Sequence, residues 1–367
     1  MHKCKTTLNA HAEYRTAGVL TGMKRSSTRT TSFDVAALAG VSQSAVSRAF
    51  TPGSSIAEET RQKVLEAARK LNYVPNSIAS SLTTKRSNIV ALILGNLANP
   101  FYVHVMHAFS RKLQEQGRQV LIFTVDAGAE SDDAILHVLK YQVDGVILTS
   151  AQLSTRMTSM CHDRGIPIVL FNRYIPGSDA SGVRCDNTAG GRALAEAFLA
   201  AGAKSYLIVT GDPTATTSAD RVLGFMNRLI EGGIKRSDIT QIEGNSSYEG
   251  AFSATIRHFS SADVKRPDAI FGVNDIMAMG VMDALQLRLG IKVPDDLMLA
   301  GFDDIPEGRR APYHLTTFRQ PIDQMVNETL AILHLDEPTR PIERGIDRRI
   351  SGRLIWRSTV PVPQDNG

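Results

Sequence analysis

Cysteine is scarce in this chain, with 3 in 367 residues, at Cys4, Cys161 and Cys185. An odd number without metal-ligand or disulfide spacing excludes a disulfide framework and points to a reducing cytoplasm. No hydrophobic run is long enough to cross a bilayer, and the first thirty residues contain no apolar stretch that could serve as an export signal. Catalytic signatures are missing as well. There is no GxxxxGK phosphate loop, GxSxG elbow or HExxH pair, and Gly190-Gly191 stands alone. His104 and His107 lie one helical turn apart, but no Cys or acidic partner has matching spacing, so a solvated helix flank explains them better than a metal does. These absences leave a protein that is no enzyme and has no metal, cofactor or membrane partner.

What is present is ordinary soluble composition, 43% hydrophobic and 21% charged, with the charge unevenly spread. Residues 1–86 carry 13 Lys or Arg against 5 Asp or Glu, while the remainder carries 28 against 32. A basic amino-terminal segment suits a polyanion. Within it, TSFDVAALAGVSQSAVSRAF (31–50) places Val35, Leu38 and Ala39 at helical spacing, stops at Gly40, and resumes with Val41, Val46 and Ala49. That spacing predicts a helix-turn-helix. Thr31 and Asp34 form a capping-box signal, Ser42 caps the second helix, and Gly40 supplies the positive φ of the turn. The second helix then shows Gln43, Ser44, Ser47 and Arg48 to solvent, a face that suits a DNA major groove. A third helix over about 57–72 closes the domain with Val64, Leu65, Ala68 and Leu71. Pro75 ends it, and Ile78, Ala79 and Leu82 fall along one side of a segment too short to be a stable helix alone.

DVAALAGVSQSAVSRAF, followed by TRQKVLEAARKLNYVPNSIASSL, resembles the amino-terminal signature of the lactose and galactose repressor family of bacterial transcription regulators. NPFY (99–102), DGVIL (144–148), IFGVNDIMAMG (270–280) and GFDD (301–304) extend the resemblance to about Val360. It implies a cytoplasmic, nucleoid-associated homodimer that binds operator double-stranded DNA. It also implies a hinge helix in which Leu82 wedges a minor-groove step, Ile78 and Ala79 meet their two-fold mates, and Asn76 holds backbone. Thr31, Ser42, Gln43, Ser44, Ser47, Arg48, Asn76, Ala79 and Leu82 are therefore the expected DNA-binding residues. Ala57 departs from relatives that commonly place Ser or Thr there. Met23 opens a basic arm like the usual start of the family, so residues 1–22 read as an upstream extension or a mis-called start.

From Ser87 onward, apolar strand runs alternate with amphipathic helices, the grammar of doubly wound parallel α/β sheets. The resemblance implies a two-lobed body of the periplasmic-sugar-binding-protein fold behind the all-α headpiece. The expected divisions are an extension and arm (1–30), headpiece (31–75), hinge and linker (76–87) and body (88–361). Its lobes are expected at about 88–185 with 316–349, and 187–313 with 352–361. Crossings between the lobes are expected near 184–187, 313–317 and 350–352. Ligands of such sheets bind at the carboxyl ends of the strands. There stand Phe101, Tyr102, Asp126, Asn172, Arg221, Asn245, Asn274 and Asp303, a set of aromatic faces, amides, carboxylates and one cation that suits a sugar, a sugar acid or another sugar derivative. The family pattern singles out Arg221, Asn274 and Asp303.

Purely structural readings stand beside these: Asp275 as the cap of the following helix, Asp304 as a turn residue, Phe101 as core and Asn99-Pro100 as a helix start. The rival from another functional class is a solute-binding or sensor protein of the same body fold that acts through protein contacts. Such a protein would need no DNA-binding head.

Overall fold

The computed structural model describes residues 30–51, 53–75, 86–125, 132–149, 154–261, 264–337 and 340–362. The hinge residues Asn76, Ala79 and Leu82, together with Asp126 and residues 1–22, lie outside these. The chain divides into an amino-terminal unit, 1–80, and a body, 81–367.

The first unit is built from α1 (Ser32–Ala39), α2 (Gln43–Phe50) and α3 (Glu58–Lys70). Its core is small: Val35, Val46 and Val64 are fully buried, with Ala36, Ala49, Ala67 and Ala68 around them. So small a core leaves much of the stability to helix ends. The Thr31 amide donates to the Asp34 carboxylate at 2.8 Å, and Ala45 N donates to Ser42 Oγ at 3.2 Å. Gly40 turns the chain at φ 66°. Arg61 Nη1 donates to Ala49 O at 3.0 Å, which ties α3 to the end of α2. Leu38, expected in the core, is 53% exposed, because α1 in eight residues presents only one narrow stripe, Val35 and Ala36, to its neighbours. Ala57 offers α3 no side-chain cap.

The body contains two six-stranded sheets. The first collects β1 (Ile89–Gly95), β2 (Gln119–Val125), β3 (Gly145–Thr149), β4 (Ile168–Phe171), β5 (Ser181–Cys185) and β11 (Asp347–Ile350) in the order β11-β5-β4-β3-β1-β2, all parallel. The second collects β6 (Tyr206–Thr210), β7 (Ile239–Glu243), β8 (Ala269–Gly272), β9 (Met298–Asp303), β10 (Thr316–Arg319) and β12 (Arg353–Ile355) in the order β12-β10-β9-β8-β6-β7. Only the β10–β12 pair is antiparallel. Central strands such as β1, β3, β8 and β9 are buried on both faces, as near-continuous apolar runs require.

Helices cover the sheets: α4 (Pro100–Glu115), α5 (Asp132–Val138), α6 (Thr155–Asp163), α7 (Asn187–Ala200), α8 (Thr216–Glu231), α9 (Tyr248–Phe259), α10 (Asp275–Ala284) and α11 (Ile322–Leu333). α11 packs on β4, β5 and α4 of the first lobe, whereas β10 belongs to the second sheet. The middle crossing therefore lies at 320–321 and not at 313–317, which corrects the expected assignment of 316–319 to the first lobe. The other two crossings fall at 186 and 351–352, between strands of different sheets. The final strand ends at Ile355. In each sheet the chain reverses its winding direction beside the first strand, so the carboxyl ends of β1, β3, β6 and β8 open a crevice.

Candidate functional site

On α2 the residues divide cleanly by face. Ala45, Val46 and Ala49 are buried, and Gln43, Ser44, Ser47 and Arg48 are exposed. Some of the polar atoms are engaged within the headpiece: Gln43 Nε2 donates to Ser32 Oγ at 3.0 Å, and Ser44 Oγ lies 2.9 Å from Ser42 Oγ. Arg48 makes one long contact, Nε to Ser44 O at 3.4 Å, so its guanidinium edge remains free to turn outward. Thr31 and Ser42 act as caps. A short exposed polar face with one cation suits a helix that lies in a groove.

In the body, a cavity of about 240 Å³ opens between the lobes, lined from the first by Asn96, Asn99, Phe101, Tyr102, Asn172 and Arg173 and from the second by residues following β6, β7, β8 and β9. Its centre is Arg221, 5% exposed, on α8. Arg221 Nε donates to Asn187 Oδ1 at 2.8 Å, Nη1 donates to Val273 O at 2.8 Å and stands 3.2 Å from Asp303 Oδ1, and Cζ lies 3.8 Å above the Phe302 ring. Gln320 Nε2 donates to the same Asp303 oxygen at 2.7 Å. Among the described residues Asp303 Oδ2 and Asn172 Oδ1 are buried acceptors with no hydrogen-bond partner. Burial raises the Asp303 pKa, and the Arg221 charge opposes that rise, as does the Asn99 side chain, which is near enough to Asp303 to help hold its pKa down. Burial and then the Asp303 charge hold the Tyr102 phenol above its ordinary range. A buried acceptor without a donor costs about 1–3 kcal/mol, and here two of them line one cavity, which suits a ligand bearing hydroxyls.

Backbone conformation marks the same place. Asn96, Asn172, Asn245, Ser246 and Asp303 line the cavity and have positive φ, 124° at Asp303. Such conformations persist where surrounding structure imposes them, and they cluster at binding sites.

Residues 33–76 match the family described as bacterial regulatory proteins, lacI family, and residues 87–315 match periplasmic binding proteins and sugar binding domain of LacI family. The chain belongs to the LacI family. This LacI-family chain is similar to the HTH-type transcriptional regulator DegA of Bacillus subtilis, 33% identical with 81% of this chain and 88% of the relative covered. It is likewise similar to the ribose operon repressor of Halalkalibacterium halodurans, 31% identical over 90% and 97% of the two chains. Among solved structures, the lac repressor dimer bound to operator and an anti-inducer shares the fold at a TM-score of 0.79 and 24% identity, covering 90% of this chain and 98% of that one. A complex of the regulator CelR with cellobiose matches at a TM-score of 0.65 and 26% identity, over 90% and 100%. The protein is thus a DNA-binding transcriptional regulator, and its relatives are regulators and not enzymes. No helix among the described residues is long and apolar enough to cross a membrane.

Of the effector candidates in this LacI-family body, Phe101, Tyr102, Asn172, Arg221, Asn245, Asn274 and Asp303 all line the one cavity. Phe101 is both wall and core, 1% exposed and edge-on to Tyr102 at 5.2 Å. Asn274, not Asp275, caps α10, its Oδ1 accepting from Met277 N at 2.9 Å. Asp275 is buried behind the cavity, where it accepts from Ile305 N at 2.8 Å and Thr317 Oγ1 at 2.5 Å. Asp304 faces away and is held by Arg309, Arg319 and Arg357. Sequence reasoning missed Asp212, Thr216, Thr217, Ser218, Ser246 and Ser247. Ser246 and Ser247 follow the short polar strand β7 and become visible only once it is recognised, whereas Asp212, Thr216, Thr217 and Ser218 follow the apolar strand β6 as a plain Ser/Thr-rich loop.

Proposed function

We propose that the protein is a repressor that binds a pseudopalindromic operator as a homodimer, with its affinity set by a small polar metabolite, a sugar or sugar derivative, in the cleft between the lobes. One observation carries the reading: a helix-turn-helix with an exposed polar face shares a chain with a cleft whose buried acceptors have no partner. A ligand that satisfies those acceptors by drawing the lobes together shifts DNA affinity through its differential affinity for the two lobe arrangements. Asn76, Ala79 and Leu82 would transmit the change as the hinge. The solute-binding alternative gives the headpiece no role, and relatives that match along most of the chain are named as transcription regulators.

The DNA half is tested by Arg48→Ala in gel-shift titration against the chain's own upstream region. If Arg48 reads a base edge, the variant loses about 1–3 kcal/mol on the specific site and little on random DNA. A uniform loss on both would restrict Arg48 to phosphate. Equal binding by variant and wild type would remove it from the interface.

A further inference from the structure

Arg173 is the cation of the cleft that has no carboxylate. It follows Asn172 at the end of β4, and its Nη2 donates to Thr214 O of the opposite lobe at 2.9 Å. No carboxylate of the described residues lies within 4 Å of it, whereas Arg221 has Asp303 at 3.2 Å. The nearby acid, Asp212, is turned onto Thr214, whose amide and hydroxyl both donate to Asp212 Oδ1 at 2.7 Å. Burial works to lower the Arg173 pKa, and the charges of Tyr102 and Asp212 oppose it. A partly buried guanidinium with one neutral acceptor is short of a counter-charge.

α8 begins in the same cavity. Its N-cap is Ala215, which has no side chain to offer, and no acceptor among the described residues takes up the amides of Thr216, Thr217 and Ser218. All three residues line the cavity. The first turn of a sixteen-residue helix is a positive end with free donors. Elsewhere in this cavity the needs are opposite, because the unpartnered atoms of Asp303 and Asn172 are acceptors. The cleft therefore asks for donors at one group of residues and for an acceptor, best a charged one, at the other. At about 240 Å³ it is smaller than the roughly 300–1,000 Å³ of sites for drug-sized ligands, which suits a single sugar-sized ring or chain.

We infer that the effector is an anionic, monosaccharide-sized polyol whose carboxylate or phosphate sits between Arg173 and the amino end of α8, while its hydroxyls meet Asp303 and Asn172. The inference rests on the effector reading given above and narrows it from sugars in general to sugar acids and sugar phosphates. Arg173 and the α8 amides select the charge, and Asp303 with Arg221 selects the hydroxyls.

The test is a thermal-shift and calorimetric series on the full chain with matched probes: glucose and galactose, gluconate, glucuronate and galacturonate, and glucose 6-phosphate and galactose 6-phosphate. At least one anion is expected to bind tenfold or more tightly than its neutral parent, and whether it is a carboxylate or a phosphate identifies the group. Arg173→Gln is expected to weaken that anion at least tenfold without weakening the neutral sugar, and Arg173→Lys to keep part of the preference. Melting temperatures without ligand show whether each variant is folded, and Arg173→Lys serves if Arg173→Gln is not. Neutral sugars binding as tightly as their acids, or an Arg173→Gln change that weakens both alike, would overturn the anionic site while leaving a sugar effector standing. No binding by any probe, charged or neutral, would overturn both.

Discussion

Three carboxylates meet where β9 ends, and each is stabilised differently. Burial works to raise the Asp304 pKa, but the hydrogen bonds and charges of Arg357, Arg319 and Arg309 outweigh it and hold the group ionised. Asp303 shares Arg221 and Gln320. Asp275 has neither cation, and burial followed by the Asp303 charge pushes its pKa up to about 7. A carboxyl raised in the folded state holds a proton that the unfolded chain gives up near pH 4, so its contribution is complete below that pH and is lost as pH rises to about 7. Asp275→Asn keeps an acceptor for Ile305 N and removes the titration. Denaturant unfolding of wild type and variant across pH 4 to 7 is expected to show the difference between them changing by up to about 1.4 kcal/mol per pH unit, with wild type losing ground as pH rises. A pH-independent difference would mean that Asp275 stays ionised. At this scale the sequence was legible in part. Asn274 and Asp275 are adjacent and either could cap a helix, and which one turns inward instead depends on Ile305 and Thr317, which lie thirty and forty-two residues beyond Asp275.

Elements place these residues, and two glycines set how closely α7 and α8 approach. A Cβ on Gly224 would stand 2.1 Å from Thr188 O, and one on Gly191 would stand 2.1 Å from Arg221 O. The contact brings Asn187 at the start of α7 within 2.8 Å of Arg221 Nε. Gly224→Ala must push the helices apart, at a cost of about 1–3 kcal/mol for overpacking. Because Arg221 lies one turn earlier on α8, the variant is expected to bind effector more weakly as well as unfold at lower denaturant. An unchanged unfolding midpoint would show that the helices yield without strain. The apolar runs of β1, β3, β4, β6, β8 and β9 were plain in the sequence. The polar strands were not. β7 (ITQIE) and β11 (DRRI) lie at sheet edges, where charge discourages stray pairing, and β5 carries Gly182 and Arg184. With β7 went Ser246 and Ser247, whereas Asp212, Thr216, Thr217 and Ser218 follow the plainly legible β6 and carry no pattern that marks them as a wall.

For the whole body the question is what sets the balance between its lobes. Arg184, on β5 of the first lobe, gives Nε and Nη2 to the two oxygens of Asp347 at 3.0 Å each, and Nη1 to Asp220 on α8 of the second lobe at 2.9 Å. Tyr174 OH donates to the other Asp220 oxygen at 3.1 Å, its ring lies 3.9 Å from the Arg184 guanidinium, and its carbonyl accepts from Thr216 Oγ1 at 3.3 Å. Asp220 and Arg221 are neighbours on one helix, so the tie between lobes and the centre of the cleft between them move as one piece. Asp220→Ala removes the Arg184 and Tyr174 side-chain ties across the lobes yet leaves Arg184 its bidentate partner and the Thr216–Tyr174 and Arg173–Thr214 contacts, so the structural cost should be about 1.5–3 kcal/mol for hydrogen bonds to a charged group. The variant should also change regulation, because a contact made in one lobe arrangement and broken in another belongs to the free-energy difference between them. Operator affinity measured with and without saturating effector gives the coupling directly. In Asp220→Ala that ratio is expected to fall severalfold beside the modest loss of stability. A variant that loses stability but keeps the wild-type ratio would make the Arg184–Asp220 contact a fixed part of the body, present in both arrangements, and the lobes would have to be coupled to DNA through α8 by other contacts.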